Sequence, residues 1–130
     1  MPDRRIRLEA ARLNLARIGM ATPEDLRRAL EQAAQVSAKT LGVSHVGIWL
    51  LSGETLCTCT VLYDAIQERF RESEPLELTE YPAYFEALRT LRAIPADDAW
   101  KDPRTREMRA SYLEPTGVRA MLDVPILVAG

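Results

Sequence analysis

The feature of this sequence that most constrains its fold is a pair of β-rich runs joined by a very short turn. Residues 43–51 carry apolar side chains at both odd and even positions, and residues 55–63 are rich in Thr, Val and Leu. Only Ser52, Gly53 and Glu54 separate the two runs, which is typical of a β-hairpin. Because a strand that is apolar on both sides needs cover on both sides, the pattern predicts a hairpin with helices on both faces.

Two helical patterns precede the hairpin. The apolar spacing of residues 3–18 predicts an amphipathic helix. Thr22 can cap a helix and Pro23 suits its first position, so a second helix is expected to begin there. We expect that helix to end at Gly42, where a left-handed residue commonly stops a helix.

Mixed patterns follow the hairpin. Residues 64–80 are expected to form a loop with one helical turn, and a short helix is expected around Pro82, followed by a strand at residues 92–96. Asp102 and Pro103 predict the start of another helix.

That helix should end before Pro115, whose ring cannot continue the hydrogen-bond ladder. Residues 118–128 then predict a long strand that contains Pro125. Strands joined by a hairpin rather than through helices favour an α+β fold with an antiparallel sheet.

The composition excludes several classes of protein. With 130 residues the chain fits one domain, and its net charge of −2 gives no support for a nucleic-acid surface. An apolar run of the length that a membrane span needs is absent from the sequence, as is a signal-peptide core, so the cytoplasm is the expected location. Cys57 and Cys59 are too few for a structural zinc site and poorly placed for a disulfide, so buried, reduced thiols are expected on one strand face.

Three stretches resemble the GAF domain family. Leu26 to Val43 with His45 to Leu51 resembles the opening helix and first strand of the family. Ile94 to Trp100 with Asp102 to Glu107 resembles the segment that crosses the mouth of the GAF pocket. Tyr112–Leu113 with Gly117 to Ile126 resembles the central strand. The resemblance covers about residues 22–130, and its subgroup is similar to the GAF modules of bacterial sensor histidine kinases and cyclic-di-nucleotide proteins.

This resemblance implies an α+β, GAF-like antiparallel sheet with helices on both faces. It implies a connecting helix over residues 1–21 and a GAF domain over residues 22–130, which is expected to be incomplete at its C-terminus, without its last strands and closing helix. Upstream and downstream domains of the same polypeptide are then expected as partners. We also expect a homodimer, in which a second copy covers the edge of the sheet left by the absent strands.

The function that the resemblance implies is a non-catalytic sensory input domain that binds an unknown small molecule and couples pocket occupancy to an output domain. Two alternatives stay open: a ligand-free dimerisation or linker module, and a thiol redox enzyme of the methionine sulfoxide reductase type. The Asn-Lys and Phe-Asp-Glu signature of cyclic-nucleotide binders is absent from the sequence, and the cysteines lie in the wrong place for a covalent bilin. Neither cofactor is therefore expected, and the ligand stays unknown.

The resemblance also places a set of residues at the pocket, while no catalytic residue or metal ligand is expected. Trp100 is expected either to close the cavity as a lid or to plug the core. The helix start near Arg104 and Arg106 offers donors for a carboxylate or phosphate, although Asp102 competes for them. The expected pocket residues are Trp49, Cys57, Cys59, Tyr81, Tyr84, Phe85, Asp97, Asp98, Trp100, Arg104, Met108, Tyr112, Met121 and Asp123.

Overall fold

A computed structural model of the chain describes residues 22–126. It divides into two compact units, the first ending at Leu76 and the second beginning at Glu77. The helix predicted over residues 3–18 lies outside the described residues. Within them, helices and antiparallel strands confirm the α+β class.

Helix α1 (Pro23–Leu41) begins and ends where its capping residues predict. The side chain of Thr22 accepts a hydrogen bond from the backbone N–H of Asp25 at 3.0 Å, which satisfies one of the first-turn donors. Gly42 adopts the left-handed conformation, with φ of 69°, and its N–H binds the carbonyl of Ala38.

The predicted hairpin is present as β1 (His45–Ser52) and β2 (Leu56–Asp64), paired antiparallel. Its register contains a β-bulge, because Ile48 pairs with Val61 whereas the next residue, Trp49, pairs with Cys59. Thr60 is therefore the extra residue of β2.

The prediction of a loop over residues 64–80 is wrong in part, because two short strands, β3 (Arg69–Arg71) and β4 (Leu76–Glu77), both pair with β2. The chain reverses at Asp64, whose Oδ1 accepts the backbone N–H groups of Ile66 and Gln67 at 2.9 and 3.1 Å. This side-chain turn returns the backbone alongside β2, which a composition-based reading cannot foresee. The predicted helical turn is present, as a 3₁₀ turn at Leu78–Glu80.

The core of the first unit lies between α1 and the hairpin. Ala34 and Ala38 pack with Val61 and Tyr63, so small residues on the helix let it approach the sheet closely. Leu50 and Leu51, by contrast, are each 56% exposed at the end of β1. One face of the hairpin is thus covered by α1, and cover on the second face stays a prediction.

The second unit contains α2 (Pro82–Thr90) and a two-stranded antiparallel pair, β5 (Ile94–Ala96) with β6 (Met121–Asp123). A helical segment lies between the two strands; it is 3₁₀ at Arg106–Met108, π at Arg109–Leu113 and α at Glu114–Thr116. The fully buried side chains of this unit include Leu78, Ile94, Thr105, Met108 and Leu113.

The helix predicted from Pro103 begins later, at Arg106, and ends later, after Pro115. Asp102 caps a tight turn instead of a helix, because its carbonyl accepts the N–H groups of Thr105 and Arg106. Pro115 is tolerated because a separate α-turn starts after the wide π-turn, and a first-turn residue needs no intrahelical donor.

Of the long strand predicted over residues 118–128, the structure describes residues 118–126, and there the strand spans Met121–Asp123. The carbonyls of Val118 and Arg119 bind Trp100 Nε1 and Ala99 N rather than a neighbouring strand. Sheet pairing therefore starts only after these residues, and Pro125 lies beyond the strand.

Candidate functional site

The predicted pocket residues fall in both units. Trp49, Cys57 and Cys59 belong to the first unit, and all the others belong to the second. The second unit connects several of them through a network around residues 97–123, so we take this part of the chain as the candidate site.

Trp100 ties two distant stretches of this site together. Its indole Nε1 donates a hydrogen bond to the carbonyl of Val118 at 2.6 Å. The guanidinium carbons of Arg119 and Arg109 lie 4.3 and 4.7 Å from the centre of its rings. These are close cation–π distances, so the half-buried indole is fixed on both its polar group and its π surface.

Asp98 supports the same connection. Both of its carboxylate oxygens accept bonds from Arg119, at 3.1 and 3.3 Å, and Oδ1 also accepts the backbone N–H of Trp100. The hydrogen bond from Arg119 is the main reason why the pKa of Asp98 is lowered. The neighbouring Asp97 is exposed.

Arg104 is engaged by a carboxylate of its own turn. Its Nε and Nη2 donate to the two oxygens of Asp102 at 3.0 and 2.8 Å, and Nη2 also reaches the carbonyl of Pro95. The side-chain bond from Arg104, followed by its backbone N–H, lowers the pKa of Asp102 to about 2. An anionic ligand at this turn would therefore have to displace Asp102.

Tyr84 and Asp123 form a second polar pair. The Tyr84 hydroxyl donates a hydrogen bond to Asp123 Oδ2, which joins α2 to β6. Desolvation raises the pKa of Asp123 although the Tyr84 bond acts in the opposite direction. The carboxylate is consequently a strong acceptor in a poorly hydrated place.

The remaining aromatic and methionine candidates are mainly structural in their contacts. Tyr81 is buried, and its hydroxyl lies 2.7 Å from Ser111 Oγ. Phe85 is half-buried beneath the guanidinium of Arg89. Met108 is 1% exposed and belongs to the core of the unit. Tyr112 and Met121 are half-buried.

Sequence reasoning missed Glu107. Its Oε1 accepts the backbone N–H of Ala83 at 2.9 Å and so caps α2 from twenty-four residues along the chain. Its Oε2 is buried and, among the described residues, has no hydrogen-bond partner. The sequence offers one indication of this cap, which is that Tyr81, the residue before Pro82, is not a capping residue. Its side chain makes no cap hydrogen bond, so the first turn of α2 needs an acceptor from elsewhere.

The candidates of the first unit lie on its hairpin. Cys59 and Trp49 are paired across the strands, and so are Cys57 and Leu51. A cleft of about 230 Å³ is lined by Arg27 and Glu31 of α1 together with residues 59–62 and 70–73. Within residues 22–126, no three His, Cys, Asp or Glu side chains are grouped so that they could hold a metal ion.

Comparison with known proteins identifies one family. A family model described as the GAF domain matches residues 25–130. No curated protein and no solved structure matches the chain. A search of the described residues for a helix long and apolar enough to cross a membrane found none.

Proposed function

The chain belongs to the GAF domain family, and we propose that it is a sensory input domain whose second unit binds a small molecule with N–H or O–H donors. GAF domains in general are sensory or regulatory domains that bind small molecules. Membership supports the general role, and the polar groups of the second unit support the class of ligand.

The observation that carries this choice of ligand is unused acceptor capacity. Glu107 Oε2 is buried without a partner among the described residues, and a buried acceptor of this kind costs free energy until it receives a donor. Asp123 is a second desolvated carboxylate and receives the Tyr84 hydroxyl on one oxygen. An ammonium or amide group on a ligand would supply the missing donors.

Three arginines of this part of the chain argue against an anionic ligand, because each of the three already binds a carboxylate. The pairs are Arg104 with Asp102, Arg109 with Glu114 and Arg119 with Asp98. An incoming phosphate or carboxylate would have to compete with these internal partners, which are held at high effective concentration.

A thermal-shift screen tests the proposal. Amino acids, amines and nucleobases form one group of probes, and inorganic phosphate and simple dicarboxylates form the other. A ligand present at one hundred times its Kd stabilises the folded state by about 2.7 kcal/mol, which raises Tm by roughly 10 °C. We expect a rise in the first group that Asp123→Asn abolishes and the exposed-site control Asp97→Asn retains. A rise confined to the anions would contradict the proposed ligand class.

We further propose that occupancy is coupled to an output domain on the same polypeptide, of the bacterial histidine kinase or cyclic-di-nucleotide type, with no chemistry in the GAF domain itself. Residues 97–101 are tied to residues 118–119, and the latter lead directly into β6, which carries Asp123. A ligand donor bound to Asp123 would therefore act on β6, the strand that directly follows the residues hydrogen-bonded to Trp100 and Ala99. Amide hydrogen exchange with and without ligand tests this, with slower exchange expected in β6 and at Ala99.

We also propose a cytoplasmic homodimer, as the sequence led us to expect. The exposed leucines at the end of β1 favour the alternative in which the domain serves only for dimerisation or linkage. Sedimentation equilibrium together with the ligand screen separates the two functions. A dimer that responds to none of the probes would favour the linker function.

A further inference from the structure

The hairpin of the first unit places two thiols beside each other on one face of the sheet. Cys57 pairs with Leu51 and Cys59 pairs with Trp49 in the antiparallel register. Directly opposed residues share a face, as do residues two apart on a strand. Both cysteines are half-buried and reduced. The pair thus lies on the same face as the Trp49 indole.

The β-bulge decides which face that is. Val61 pairs with Ile48 and packs on α1, and regular alternation would put Cys59 on that same side. The extra residue Thr60 shifts the register, so that Cys59 is opposite Trp49 instead. The two thiols therefore lie on the face of the hairpin away from the α1 core.

We propose that Cys57 and Cys59 form a two-coordinate site for a soft monovalent cation of the Cu(I) type. Thiolate ligands select such ions over hard cations, and a linear dithiolate needs only two protein ligands. Binding exchanges two S–H protons for two metal–sulfur bonds and changes no oxidation state. The inference rests on the first unit alone and is independent of the ligand proposed for the second.

The spacing favours a bridging ion over a disulfide. Cα atoms two residues apart on a strand are separated by about 6.7 Å, which is near the upper limit for a disulfide. Two metal–sulfur bonds of about 2.3 Å in line separate the sulfurs by roughly 4.6 Å, so the thiols need to approach much less closely.

Anaerobic titration with Cu(I), in competition with bicinchoninate, tests the site in the full chain carrying Trp100→Phe. We expect one Cu(I) bound per chain, two protons released, and quenching of the Trp49 fluorescence. Cys57→Ser and Cys59→Ser should each weaken binding more than about 100-fold, beyond the effect of a change outside the ligand shell. Thr58→Ser, between the two cysteines, is the matched control and should bind like the parent.

The proposal is overturned if the parent chain binds no Cu(I) in competition, or if either single serine variant keeps the parent affinity. Circular dichroism establishes that each variant is folded. If a variant fails to fold, alkylation of the unmutated chain gives the decision. Equimolar Cu(I) should protect Cys57 and Cys59 together from iodoacetamide, and protection of one cysteine alone would refute a dithiolate.

Discussion

Replacing Glu107 with Ala should destabilise the second unit through the start of α2. The helix has no side-chain cap of its own, and Glu107 Oε1 is the acceptor for Ala83 N at 2.9 Å. The variant leaves that N–H without its charged partner and removes a negative charge from the positive end of the helix dipole.

The structure sets the size of the effect. Loss of a capping acceptor typically costs about 1 kcal/mol, and hydrogen bonds to charged groups contribute about 1.5–3 kcal/mol. Ala83 is half-buried, so water can replace part of the lost bond. Oε2 has no hydrogen-bond partner within residues 22–126, so its removal also returns some free energy. We therefore expect a net loss of about 1–2 kcal/mol in the free energy of unfolding.

Urea denaturation followed by tryptophan fluorescence measures this loss. In a Trp49→Phe background only Trp100 reports, and Trp100 lies in the same unit as Glu107. Glu114→Ala is the matched control, because it removes an exposed ion pair with Arg109 that should contribute less than about 1 kcal/mol. If Glu107→Ala proves no more destabilising than Glu114→Ala, the long-range cap does not hold α2.

Two further predictions concern one residue in each unit. Burial raises the folded-state pKa of Asp123, so this group favours folding below the ordinary carboxyl pKa near 4, and Tm should fall as pH rises through the raised value. Asp123→Asn can still accept the Tyr84 hydroxyl and should remove this fall in Tm above about pH 4. An unchanged pH profile of the variant would contradict the prediction. In β1, a Cβ on Gly47 would lie 2.8 Å from Trp49 Nε1, so Gly47→Ala should displace the indole and shift its emission maximum in a Trp100→Phe background, whereas an unchanged spectrum would show that the indole does not need this space.

Much of the fold could be predicted because its signals are local. The capping residue Thr22 and the left-handed Gly42 bound α1 as expected, since their hydrogen bonds reach only three or four residues along the chain. The turn between β1 and β2 was equally clear from its length and its glycine. The family match over residues 25–130 agrees with the three stretches that resembled GAF domains.

The candidate site was predictable in its residues more than in its contacts. Asp98 and Trp100 were identified from their segment, but their partners Val118 and Arg119 lie eighteen to twenty-one residues away. The backbone carbonyls of Val118 and Arg119 bind Trp100 Nε1 and Ala99 N instead of a neighbouring strand, so the final strand begins later than predicted. Sequence spacing has no means of showing such competition for hydrogen bonds.

The sequence by itself determined where α1 and the first hairpin lie and that the cysteines share a strand face, because helix caps and strand alternation depend on neighbouring residues. Only the tertiary structure decided which face carries those cysteines and which residue caps α2. The first depends on one extra residue, Thr60, in the strand register, and the second on Glu107 reaching Ala83 after the chain has closed on itself. Both are products of pairing between distant segments, where the free energy of the whole fold selects among locally equivalent arrangements.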